Sequence, residues 1–308
     1  MLGRRWGTRL AAAAAGLTLA AGLAAGCGSD DAAADRPEIV ATTTVLGSLT
    51  EELVGEAAEV RVLMPNGVDP HDYQPSARDV EALRNADLVV ENGLELEEGL
   101  LDALGEAREA GVPVFTATEH VRLREVGEGE PGDARGGSAD PHIWMDPLAM
   151  RDAMTALAPV AEREVGVDLG ERPSELAARL GDLDAEIRDT LAAVPEERRR
   201  LVAGHESMGY LADRYGFELL GAVVPSLGSR AQVSASNLAA LRRQVEREGV
   251  PAIFNELGTP PGVADAIGDE TGARVVDIST AVLPADGSYF TFMREVAATV
   301  AAALAPES

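Results

Sequence analysis

From Glu38 onward, short apolar runs alternate with stretches of helical spacing, and they do so in two series divided by one long amphipathic segment. That alternation restricts the fold more than any other feature, because strands that alternate with helices build mostly parallel sheets with helices packed on their faces. EIVATTTV, EVRVLM, ADLVVEN and VPVF read as strands of the first series, and RLVAG, FELLGAV, PAIFNE and ARVVDIS as strands of the second. Helices are expected in the second series near 207–215, 234–248, 260–271 and 288–304. Between the series, Leu176, Leu180, Leu183, Ile187 and Leu191 recur at helical intervals after Pro173. A helix of about 21 residues spans roughly 30 Å, the width of a small domain, and is the expected connector. The expected fold is therefore α/β, with two similar lobes, residues 38–172 and 195–308, joined by a helix over 173–194. Ser76 opens a first-series helix with Ser-x-x-Asp, a capping-box pattern that places Asp79 at the helix's positive end.

Ahead of the lobes, residues 1–26 read as a secretory leader: Arg4, Arg5 and Arg9 precede an uncharged Ala/Leu/Gly run from Leu10 to Gly26. Ala24, Ala25 and Gly26 directly before Cys27, the chain's only cysteine, resemble a bacterial lipobox, in which that cysteine takes a lipid. Leu23 stands one position earlier than the commonest pattern, and secretion with a free thiol is the alternative. Residues 27–37, polar and small, read as a flexible tether. A single cysteine excludes an internal disulfide, and four histidines exclude a zinc-finger array. The 26 basic residues are all arginine and face 52 acids, which leaves no basic face for a phosphate backbone and argues against nucleic acid as a partner.

The acidic, glycine-rich segment from Glu119 to Asp140 breaks the alternation and is expected to be an exposed mobile loop. It contains Gly127-x-Gly129-x-x-Gly132, formally a dinucleotide fingerprint. No strand leads into it, Glu128 and Glu130 would repel phosphate, and Pro131 interrupts the turn, so that reading fails. His120, in the same segment, is expected to be a solvated side chain.

The other three histidines occupy compact polar contexts at expected strand-to-helix junctions: DPHDYQP at His71, DPHIWMDP at His142 and AGHESMGY at His205. Ligands of open α/β sheets bind beyond the carboxyl ends of strands, where His205 after RLVAG and Asp277 after ARVV both fall. Imidazole nitrogen with carboxylate oxygen suits Zn(II) and its transition-metal neighbours, whereas Ca(II) or Mg(II) takes mostly oxygen. Taken singly, each residue has a plainer reading: His71 as a turn residue, His142 as a cap for the helix after Pro147, Trp144 as core, and Asp277 as a turn former. Glu256 closes the strand PAIFNE. It is read either as a solvated strand end or as a carboxylate that accepts an imidazole N–H beside a metal.

In this order the segments PNGVDPHDYQPSARDV, DPHIWMDP, HESMGYLADRYGFEL and VVDISTAVLPADGSYFTFM resemble the metal-binding solute-binding lipoproteins of bacterial ABC importers for zinc and manganese. The resemblance runs from about Glu38 to Leu304. It implies two Rossmann-like α/β lobes with mostly parallel sheets joined by one long rigid helix. It implies metal ligands His71 and His142 in the first lobe and His205 and Asp277 in the second, with the ion between them. The bound cargo it implies is Zn(II), with Mn(II) as the alternative; His205 tips the choice, because manganese members tend to carry glutamate there. Glu206, next to it, reads as a carboxylate at a helix N-terminus, or in a shifted register as a ligand. The implied partners are an ABC permease and its ATPase, with the membrane reached through lipid on Cys27 at the extracytoplasmic face; whether metal arrives free or from a chaperone stays open.

An enzyme reading takes two forms. A serine hydrolase would use Ser207, but His205 stands where the sharp nucleophile elbow needs a small residue. A metal-dependent hydrolase would use the same ion with Glu256 as base, yet four protein ligands would close the position a catalytic water needs. A carrier rather than an enzyme is therefore expected.

Overall fold

The computed structural model describes residues 36–126 and 138–306; the leader, Cys27 and most of the tether lie outside them. Residues Pro37–Ser308 form one compact unit. All eight expected strands are present: β1 (Glu38–Ala41), β2 (Glu59–Val62), β3 (Leu88–Glu91), β4 (Val114–Thr116), β5 (Arg200–Ala203), β6 (Glu218–Ala222), β7 (Ala252–Asn255) and β8 (Arg274–Asp277). The helices are α1 (Thr44–Val54), α2 (Ala77–Asn85), α3 (Leu101–Glu109), α4 (Pro147–Glu164), α5 (Arg172–Leu191), α6 (Gly209–Tyr215), α7 (Ala235–Glu248), α8 (Val263–Thr271) and α9 (Tyr289–Leu304).

The first four strands form a parallel sheet in the order β2-β1-β3-β4. In the second half β5 pairs with β6 and β7 with β8, both parallel, and β5 lies beside β7, so the spatial order β6-β5-β7-β8 repeats that of the first sheet. In each half the strand order reverses at the central pair, which opens a crevice at the carboxyl ends of those strands. The chain thus presents two crevices of the same construction.

The expected strand EIVATTTV stops early. Thr43, with extended backbone, accepts the amide of Leu46 on its hydroxyl and starts α1, so a cap ends the strand that β-branched composition would have continued. Ser76 and Asp79 form the full capping box of α2, each side chain accepting the other's backbone N–H. Helix α5 buries Leu176, Leu180, Leu183, Ile187 and Leu191 against α4, α9 and α1. Its apolar stripe joins one core cluster running from Ile39 to Leu304, so both sheets are tied to the same helical layer. Asp184 on α5 takes two hydrogen bonds from Arg214 of α6, at 2.8 and 2.9 Å.

The exposed-loop expectation for residues 119–140 is corrected at its flanks. Val126 and Asp140 are buried, and Val126 N–H to Ser138 O and Asp140 N–H to Arg124 O close a short antiparallel bridge between the two ends. Residues 127–137, with the rejected glycine fingerprint, lie outside the described residues. His120 is exposed and stacks on Phe115, with ring centroids 4.6 Å apart. Among the described residues no helix is long and apolar enough to cross a membrane.

Candidate metal centre

Two Asp-Pro-His turns of the same design deliver the first-half histidines. Asp69 Oδ1 accepts the amide of His71 at 3.0 Å, and Asp140 Oδ1 accepts the amide of His142 at 2.9 Å, the side chain bonding its own backbone two residues on. Asn92, just beyond β3, donates from Nδ2 to Pro141 O and pins the second turn to the sheet's carboxyl end. The helix that follows is capped by Asp146, whose carboxylate accepts Leu148 N–H with Pro147 at the first turn; this leaves the His142 side chain free of the capping role. His205 follows β5, and Glu256 follows β7, at the reversal of the second sheet.

His71, His142 and His205 are buried, and their ligand nitrogens lie within 4.8 Å of one another. His142 Nε2 stands 3.3 Å from His71 Nε2 and 3.2 Å from His205 Nε2. Nitrogens at roughly 2.0–2.1 Å from a tetrahedral Zn(II) stand about 3.3 Å apart. Carboxylates stand at the far side of two rings: His142 Nδ1 is hydrogen-bonded to Asp140 Oδ1 at 2.8 Å, and His205 Nδ1 lies 3.3 Å from Glu256 Oε1 in an ion-pair contact without hydrogen-bond alignment. A carboxylate at Nδ1 keeps the proton there and turns the Nε2 lone pair inward. Two lone pairs then face each other at 3.2 Å, an arrangement that a shared proton or a metal ion between them relieves.

Glu256 is fully enclosed. Oε1 also accepts the His205 amide at 2.9 Å, and Oε2 accepts the hydroxyls of Ser207 (2.7 Å) and Thr280. Burial pushes its carboxyl up, but the His205 imidazole and these donors outweigh it and hold the group below its ordinary range. Burial pulls His205 down, and Glu256 more than restores it, leaving its pKa raised. His71 has no such partner: burial first, then the neighbouring imidazoles, lower it to about 2, so its ring is neutral.

Asp277, the fourth ligand implied by the resemblance, lies outside this group of three. It ends β8 exposed to solvent, and its Oδ1 accepts a hydrogen bond from Asn255 Nδ2 at 2.8 Å. The chain reaches the site three residues later, at Thr280, which is buried, bonds Glu256, and accepts the Trp144 indole N–H on its carbonyl at 2.6 Å. Glu206 is buried beside His205 but is likewise outside the group. A narrow void of about 10 Å³, the room of one water-sized body, is lined by Asp69, the three histidines, Ser207, Leu257 and Thr280. Asp69 Oδ2 is buried there without a hydrogen-bond donor, a second sign that the void suits positive charge. Asp277→Ala is accordingly expected to change metal affinity less than about twofold in a chelator-competition titration.

Asp140 carries no signal in composition or periodicity. The hint was the repetition of Asp-Pro-His at 69–71 and 140–142, one turn chemistry used twice. The two halves also meet around the site: Asn66 exchanges two hydrogen bonds with Leu283, at 2.7 and 2.9 Å, and Arg230 reaches Asp72 at 3.2 Å and Glu98 at 3.3 Å.

Residues 39–303 match the family described as ZnuA, zinc-uptake complex component A, periplasmic. The chain belongs to this family of metal-binding solute-binding proteins. It is 30% identical over 315 residues to the zinc-binding protein TroA of Treponema pallidum, covering 96% of this chain and 98% of that one. It is 26% identical over 274 residues to the manganese-binding lipoprotein MntA of Halalkalibacterium halodurans, covering 86% of this chain and 88% of that one. The solved structure of the Treponema pallidum periplasmic zinc-binding protein superposes with a TM-score of 0.75 at 26% identity, covering 88% of this chain and all of that one. This ZnuA-family chain therefore shares that structure's overall fold.

Proposed function

We propose that this ZnuA-family chain is the extracytoplasmic receptor of an ABC importer and that its cargo is Zn(II), held by His71, His142 and His205. The observation that carries the reading is the convergence of three buried Nε2 atoms, two of them backed by carboxylates at Nδ1. Ligands drawn from both sheets make binding and the seating of the two halves one event. The void admits an ion and little more, which favours carriage over hydrolysis of an organic substrate. Zinc is preferred over manganese because the group offers imidazole alone: among the described residues no carboxylate joins it, and Mn(II) favours oxygen ligands and binds weakest of the first-row series. A lipid on Cys27 would hold the protein at the membrane, from which it passes the ion to a permease.

Ligand binding to the folded state alone raises its stability. Zn(II) at about 100 times its dissociation constant is expected to add about 2.7 kcal/mol to unfolding free energy, with Mn(II) at the same concentration adding less. Thermal unfolding of the metal-stripped protein with each ion reads this directly. Greater stabilisation by Mn(II) would overturn the choice of cargo, and none by either ion would overturn the receptor reading.

A further inference from the structure

Asp140, the carboxylate that holds His142, has a second partner whose role the metal centre does not yet explain. Arg124, from the segment leading into the acidic loop, places Nη1 3.5 Å from Asp140 Oδ2, and the two side chains are almost wholly buried, at 7% and 0% exposure. The same guanidinium donates from Nε to Asp213 Oδ2 at 3.0 Å, and the Arg124 amide donates to Tyr210 Oη at 3.0 Å. Asp213 and Tyr210 both lie on α6, the helix that follows His205. Arg124 therefore stands at a junction, with the support of a first-half ligand on one side and the helix adjoining a second-half ligand on the other.

The junction depends on a missing side chain. A Cβ at Gly209, the first residue of α6, would lie 2.7 Å from Arg124 Cζ, from Arg124 Nη1 and from Asp140 Oδ2. Only glycine lets this ion pair settle against the start of the helix. A buried ion pair is weak grounds for stability, since desolvating both charges offsets much of their attraction. Its geometric effect is direct: one oxygen of Asp140 serves His142, and the guanidinium fixes the other, so the carboxylate plane and with it the imidazole cannot turn.

Resting on the metal reading above, we propose that Arg124 is a positioning residue for metal binding: seated against Gly209, it locks Asp140 onto His142 Nδ1 and ties that ligand to α6, so that affinity depends on the two halves being in register. Outer partners of metal-bound imidazoles contribute roughly 10- to 100-fold in affinity, and Arg124 acts one bond further out, so the low end applies.

The test uses the purified, metal-stripped protein and Zn(II) alone, with affinity read by chelator competition and the His142 Nδ1–H proton followed by NMR in the zinc-loaded state. Arg124→Gln is expected to keep the fold, weaken Zn(II) about tenfold and shift the His142 Nδ1–H resonance. Gly209→Ala, which leaves Arg124 in place but displaces it, is expected to reproduce both effects. Arg163→Gln, at an exposed arginine of α4 paired with Glu164, is expected to stay within about twofold of wild type. Unchanged affinity in Arg124→Gln, or weakened affinity with an unmoved His142 resonance, would overturn the proposal. Should Arg124→Gln fail to fold, wild-type affinity in both Arg124→Lys and Gly209→Ala would do the same. Absence of Zn(II) binding in the wild type would instead sink the metal reading itself.

Discussion

Replacing His142 by alanine is expected to weaken Zn(II) binding on the order of 1,000-fold, about 4.1 kcal/mol. The size follows from its place in the group. His142 Nε2 is the atom both other imidazoles approach, at 3.3 and 3.2 Å, so its removal leaves two ligands rather than three. The substitution also strips Asp140 of its ring partner and leaves a buried carboxylate facing the void, and outer-partner losses alone typically amount to 10–100-fold. The fold should persist, since Asp140 keeps the His142 backbone amide and Arg124. His120→Ala supplies the comparison: that ring stacks on Phe115 away from the site, and its loss should leave affinity unchanged. Equal effects from the two substitutions would show that the metal is held elsewhere.

Acidification is expected to release the metal, with His205 as the group that responds. Metal and proton compete for the same imidazole lone pair. His71, lowered to about 2, stays neutral through the accessible range and offers no competition. Glu256 raises His205 above the ordinary 6.5, and with Nδ1 turned to that carboxylate the competing proton enters at Nε2. Below that raised pKa, affinity falls about tenfold per pH unit, so between pH 8 and pH 5 the loss is at least about 30-fold. In the metal-free protein the His205 contribution has the opposite sign. A pKa raised on folding adds stability that is fully present below the unfolded value near 6.5 and is lost as pH rises through the folded value. His71, lowered to about 2, contributes in the reverse sense below 6.5, so the expectation is placed on the difference between the two states: the stabilisation that Zn(II) adds is larger at pH 8 than at pH 6. Affinity measured at both pH limits checks the first statement, and paired melting curves check the second; equal Zn(II) affinity at pH 8 and pH 5 would contradict histidine ligation.

The elements of the fold were legible because their signals are local. Runs such as LVVE and AIFN have the length and branching of buried strands, and the Leu176-to-Leu191 stripe has the period of one helix face. The histidines were legible because so few are present and three stand at strand ends. What the sequence leaves unseen depends on contacts between distant segments. Asp277 stood at a strand end, as a ligand should, but its side chain falls on the solvent side and the chain needs three more residues to reach Glu256 and Trp144 through Thr280. The segment 119–140 read as loop throughout because its average composition is acidic and glycine-rich. That average conceals the buried Val126, and Arg124 and Asp140, which pair with each other and reach α6 through Asp213. The early end of β1 was hidden in the run Thr42-Thr43-Thr44, where β-branched residues suit a strand and a hydroxyl also suits a cap.

The most direct measurement is the metal content of the purified protein, stripped and then dialysed against equal, limiting Zn(II) and Mn(II), in the wild type and in His205→Ala. One zinc per chain by mass spectrometry is expected in the wild type and little or none in the variant. A wild-type protein that emerges without metal, or a variant that keeps its zinc in full, would contradict the three-histidine centre.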